Sequence, residues 1–142
     1  MSISIWELAE RVERLNFNKL AEAAINENAD RAEELNREQL NAGVLADGSL
    51  LPDYSAKTVR EKRKKNQQTF PMNLHDEGGF WGGITFKARG GTILSESTDS
   101  KYTILVDRFS KEITGLNNTG MALLKPYTQK SFNNLVAKEI FR

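Results

Sequence analysis

The stretch "ITFKARGGTILSES", residues 84–97, decides the fold class. Ile84 to Arg89 alternates in character, as a strand with one face on a core must. Gly90-Gly91 then supplies the two positive-φ residues that a two-residue hairpin turn requires, and Thr92 to Ser97 returns as the partner strand. A further apolar run, "YTILV" at Tyr102 to Val106, reads as a third strand, so an antiparallel sheet is expected over residues 84–106. Helical patterns flank it on both sides. The plan is therefore α+β: N-terminal helices, a small antiparallel sheet and a C-terminal helix.

Working outward towards the N-terminus, Ser4 and Glu7 stand at the spacing in which each side chain satisfies the other's unpaired backbone N–H, and Ile3 and Leu8 flank them as a hydrophobic staple. Ile5, Leu8, Val12 and Leu15 follow as one apolar stripe of an amphipathic helix. "NFN" at 16–18 breaks that stripe, with Asn18 a candidate start for a second helix. From Lys19 to Asn41 the pattern is again helical, with Ala21, Ile25, Ala29, Ala32, Leu35 and Gln39 near one face and Gly43 as a left-handed stop. Asp47-Gly48 and Pro52-Asp53 are turn dipeptides in an ordered loop or small hairpin. Asp47, Ser49 and Asp53 lack calcium-loop spacing and serve as turn formers. Ser55 then caps a short basic helix. Beyond the sheet, "GLNNTG" at 115–120 reads as loop, and a closing helix is expected over 124–142, with Pro126 in its first turn and Phe132, Leu135, Val136 and Ile140 as its stripe.

A chain of 142 residues is the size of one domain. We expect a single domain over 1–142: a helical segment at 1–41, loops and a short basic helix at 42–83, strands at 84–106 and the helix at 124–142. The absence of cysteine rules out disulfides, thiolate nucleophiles and cysteine-ligated metals. Glu7 interrupts the apolar start before it reaches signal-peptide length, and nowhere do roughly 18 apolar residues run together. No membrane association is expected. The charge is uneven: residues 1–41 carry nine acidic and five basic side chains, whereas residues 57–65 carry six basic and one acidic. Such asymmetry suits docking against differently charged neighbours.

"NLHDEGGFWGG", residues 73–83, gathers the only histidine, two carboxylates and four glycines. His75, Asp76 and Glu77 are ligand and acid–base types, but consecutive side chains on extended backbone diverge and no second histidine is present. We assign no catalytic residue, no metal and no cofactor. "GGFWGG" lacks the lysine and hydroxyl of a phosphate loop. Its glycines instead permit a tight turn leading into the hairpin, with Asp76 tying down backbone N–H groups and Phe80 and Trp81 as an anchor against the core or a partner. The basic run "KTVREKRKK" at 57–65 could meet phosphates but has no interleaved aromatics for stacking on bases, so nucleic-acid contact is the lesser reading. Nucleophile elbows, zinc-protease helices and kinase signatures are absent, and a non-enzymatic protein is expected.

Asn36, Gln39 and Leu40, then Gly48, Leu51, Tyr54 and Ser55, then the basic helix, then Asn73, Leu74, Asp76, Gly78 and Phe80, then the β-region and a closing Gly-Leu before a terminal helix form an ordered pattern over most of the chain. In that order and spacing the chain resembles small virion proteins of tailed bacteriophages and prophages, especially those of Bacteroidetes hosts. Its layout is also similar to tail-completion and minor-tail proteins. Glu77, where that group more often has a small hydroxyl residue, and Gly79 depart from the pattern. The resemblance implies a structural protein of the neck, connector or tail, assembled in the host cytoplasm and located in the virion. It implies a homo-oligomeric ring with portal, connector or tail components as partners. Tyr54, Lys62, Lys64, Lys65, Phe80 and Trp81 are the candidate contact residues. A small DNA-binding protein using residues 56–65 is the alternative.

Overall fold

The computed structural model describes residues 2–142. In chain order it contains α1 (Ile5–Glu13), α2 (Phe17–Glu27), α3 (Ala29–Asn41), α4 (Ala56–Lys64), α5 (Gly79–Gly82), β1 (Ile84–Arg89), β2 (Thr92–Ser97), α6 (Tyr102–Arg108), a 3-10 turn at Lys111–Ile113, and α7 (Asn118–Phe141). This is the α+β layout read from the sequence.

Local signals account for most element ends. Ser4 and Glu7 close their reciprocal cap at 3.1 and 3.2 Å, Gly43 ends α3 at φ +73°, and the Ser55 hydroxyl accepts the Thr58 N–H at 3.2 Å. The break after α1 is capped by Asn16 rather than Asn18, with the Lys19 N–H on Asn16 Oδ1 at 3.1 Å. The helix expected from Lys19 to Asn41 is two helices parted at Asn28. Its side-chain amide bonds back to the Ala24 carbonyl at 2.8 Å and across to the Ser131 hydroxyl at 2.9 Å. A short amide that competes with the helix backbone is the physical cause.

The hairpin has the expected ends and register, with Ile84 opposite Ser97 and Arg89 opposite Thr92. Gly90 and Gly91 sit at φ +60° and +79°, where a Cβ would be strained. β1 buries Ile84, Phe86 and Ala88 against the helices, whereas β2 is largely exposed. The outer edge of β1 is closed by a side chain. Asn26 accepts the Ala88 N–H at 2.8 Å and donates to the Ala88 carbonyl at 3.1 Å, as a neighbouring strand would.

Two expectations are corrected. Tyr102–Val106 is not a third strand but most of α6, in which Tyr102, Leu105, Val106 and the following Phe109 pack on the core at helical spacing while Ile104 faces out. Five residues are too few to separate the two periods, and only Phe109 reveals the helical one. The closing helix starts at Asn118, not near Pro126, because Asn117 Oδ1 caps the Gly120 N–H at 2.9 Å. Pro126 therefore lies inside α7, where it removes the hydrogen bond that would reach the Ala122 carbonyl.

Leu40, Ile84 and Ile113 are the most enclosed large apolar side chains, with Ala32, Phe80, Phe86 and Leu124 around them. Beside this core α3 buries two amides. Asn36 Oδ1 accepts the Gly115 N–H at 2.9 Å, while Gln39 donates to the Gly115 carbonyl at 3.0 Å and accepts the Asn117 N–H at 2.8 Å. These bonds fix the loop that aims α7. Gln39→Ala, which leaves both loop groups without their partner, is expected to lower the unfolding free energy by about 1–3 kcal/mol in urea titrations. An unchanged midpoint would contradict the clamp.

Candidate functional site

The residues that drew attention in the sequence form one neighbourhood: α4, the loop 73–78 that it latches, and α5. Tyr54 is the latch. Its hydroxyl receives the N–H groups of Asn73 and Leu74 at 3.3 and 3.2 Å and donates to Asn73 Oδ1 at 3.2 Å. Asn73 Oδ1 in turn accepts the His75 N–H at 3.0 Å. The turn-making carboxamide is thus Asn73, not Asp76 as expected. An Asn two residues before the bonded N–H is a recognisable Asx signal, masked in the sequence by the denser chemistry beside it.

The candidate lysines are put to different uses. Lys62 is only 7% exposed; its ammonium lies 4.6 Å from the Tyr54 ring centre and donates to the His75 carbonyl. It is spent inside the chain, its stem buried and its charge satisfied. Lys65 pairs with Asp76 at 3.3 Å, an exposed contact that solvent screens heavily. The hydrogen bond from Lys65 holds the Asp76 carboxyl below the usual carboxylate range, opposed by modest desolvation and aided by the charges of Lys65, Lys101 and Lys62. Lys64, with Lys57, Arg60 and Arg63, is exposed and has no carboxylate partner among the described residues.

The tight turn expected of the glycine-rich segment is a single turn of helix, α5, directly before β1. Phe80 is buried and stacks on Tyr102, ring centres 6.3 Å apart and planes 12° apart, and its carbonyl accepts the Ser97 hydroxyl at 2.9 Å. Phe80 therefore anchors the chain's own core, one of the two roles, core or partner, that the sequence allowed it. Gly83 is required by close approach, since a Cβ there would stand 2.7 Å from Ser97 Oγ and 3.0 Å from the Asp99 backbone nitrogen. Trp81 is half-buried: its indole N–H donates to the Asn73 carbonyl at 2.9 Å, its carbonyl accepts Arg37 Nε at 2.9 Å, and the His75 ring meets it edge-on at 4.7 Å.

A cleft of about 420 Å³ opens between α4, this loop and α6. Lys62, Lys65 and Lys101 line it together with Glu61, Asp76, Glu77 and Asp99, so neither charge prevails and the cleft exerts no strong pull on an ion of either sign. Among the described residues no three histidine, aspartate or glutamate side chains converge as metal ligands would. Nor is any helix of these residues long and apolar enough to cross a membrane.

The chain matches no protein-family model, no curated protein and no solved structure. The division of labour at the neighbourhood can be read by substitution. Phe80→Ala is expected to cost about 3–5 kcal/mol in chemical denaturation, whereas His75→Ala, losing one edge contact, costs about 1 kcal/mol. Equal costs would contradict it.

Proposed function

We propose that this chain is a non-enzymatic structural protein of a tailed-bacteriophage virion, assembling in multiple copies in the head-to-tail connector or tail and working through contacts with its neighbours. One observation carries the reading. Many residues of the ordered pattern have a structural role in the fold: Asn36 and Gln39 clamp the loop before α7, Leu40, Leu51 and Phe80 lie in the core, Tyr54 latches Asn73, and Ser55 caps α4. The likeness therefore bears on the whole architecture rather than on a few unrelated turns.

The surface supports a life among partners. Ile5, Trp6, Leu50, Phe70, Leu94, Ile104, Leu123 and Phe141 are each more than half exposed, apolar surface available to neighbouring subunits. The free cations of α4 oppose the acidic N-terminal helices in sign, as a head-to-tail contact between unlike patches would need.

Those same cations sustain the second reading, a small DNA-binding protein, because Lys57, Arg60, Arg63 and Lys64 stand free on one short helix. Mass analysis of purified particles from a phage or prophage encoding this chain separates the two. A fixed multiple of copies per particle is expected. Absence from the particle, together with duplex DNA binding that weakens steeply with salt, would replace this reading by the second one.

A further inference from the structure

Helix α1 is well formed and barely seated. Its reciprocal cap is complete, yet none of its residues is buried. Leu8, Arg11 and Leu15 turn towards the end of α7, where Arg11 donates to the Ile140 carbonyl. Flanking that seat, the outer part of the same apolar stripe carries Ile5, Ala9 and Val12 at helical spacing with Trp6 further round, and Ile5 and Trp6 are 79% and 81% exposed. A nine-residue helix is marginal in water by itself, and much of the apolar surface of this one is uncovered in a single copy.

Elsewhere on the same chain an apolar groove of about 450 Å³ runs between α2, β2 and α7. Its floor and walls are Ala21 and Ile25 of α2, Ile93 of β2, and Met121, Leu124 and Phe132 of α7. Lys125 is the single ionised side chain that lines it. We infer that α1 of one copy lies in the α2–β2–α7 groove of the next copy, joining subunits head to tail.

Three features of the chain select this occupant. The groove follows α7 from Met121 to Phe132, roughly 16 Å of helix, and α1 is roughly 14 Å long at 1.5 Å per residue. The exposed stripe of α1 has the anchor spacing with which an amphipathic helix fills a groove. The charges agree as well: α1 bears Glu7, Glu10 and Glu13 away from its seat, whereas α7 from Asn118 to Ala137 carries Lys125 and Lys130 and no carboxylate. Helix and groove are different patches, so each copy can give one and receive one, and the contact propagates into a ring or filament. The inference rests on the multi-copy reading above and supplies its interface.

The test uses the full-length protein and two single variants at exposed positions, Trp6→Glu and Ala122→Glu, with mass read by light scattering and folding checked by circular dichroism. The unaltered protein is expected to self-associate, and each variant to do so at least about thirty-fold more weakly, as removal of a central anchor does. Mixed one to one, the two variants are expected to give heterodimers and nothing larger, because the pair retains one sound helix and one sound groove. A second readout exploits the lack of cysteine. Ile5→Cys with Gln129→Cys in one chain is expected to form disulfide-linked ladders. A monomeric unaltered protein, self-association that survives Trp6→Glu, a mixture that stays monomeric, or a cross-link confined to one chain would overturn the inference. None of these results depends on whether the chain is found in a particle, so they leave the virion reading to its own test.

Discussion

The buried amide clamp between α3 and the loop before α7 is the constraint on which the rest of the structure depends. Asn36 and Gln39 stand one helical turn apart on α3 and together hold the Gly115 N–H, the Gly115 carbonyl and the Asn117 N–H. Backbone polar groups brought against a core must find partners or cost about as much as a lost hydrogen bond. Here α3 provides them, so the chain can pass close to the core at 113–117 and deliver Asn117 in the geometry that caps α7. The direction of α7, and with it the groove it forms with α2 and β2, follows from that delivery.

The same economy recurs at the hairpin and at the latch. Asn26 closes the edge of β1 with a side-chain amide, and Tyr54 gathers three polar groups of the 73–74 turn with one hydroxyl. A two-stranded sheet alone is marginal, and this one persists because its inner face supplies core residues while its edge is occupied. Hydrogen bonds from amides, a phenol and the side chains of Arg11, Arg37 and Lys62, rather than ion pairs, join the elements. The described ion pairs are exposed and contribute little.

What was legible in the sequence was local. The reciprocal cap at Ser4 and Glu7, the Gly90-Gly91 turn and the Ser55 cap are set by residues within a few positions of one another, and each element stands where its signal put it. What failed needed information from afar or a longer window. Tyr102–Val106 has the composition of a strand but the burial of a helix, decided by where Phe109 must lie. Asn28 divides a helical run by turning its amide back on the Ala24 carbonyl, and Ser131, over a hundred residues away, bonds the same amide. At the candidate site the density of His75, Asp76 and Glu77 drew attention, whereas Asn73 and Tyr54 hold the geometry. Lys62, read as a surface charge, is enclosed. Burial of a single lysine in a basic run leaves no mark in composition or period.

Scaffold and surface therefore separate cleanly in this chain. Asn36, Gln39, Leu40, Leu51 and Phe80 lie buried within the scaffold, while the side chains without a role in the fold, Trp6 and Ile5 above all, face outward. The scaffold half of that account is tested most directly by native-state hydrogen exchange at the Gly115 and Asn117 amides. The clamp predicts that these two, although outside any helix or strand, exchange as slowly as the paired amides of β1 and β2. Exchange at the rate of an open loop would contradict it.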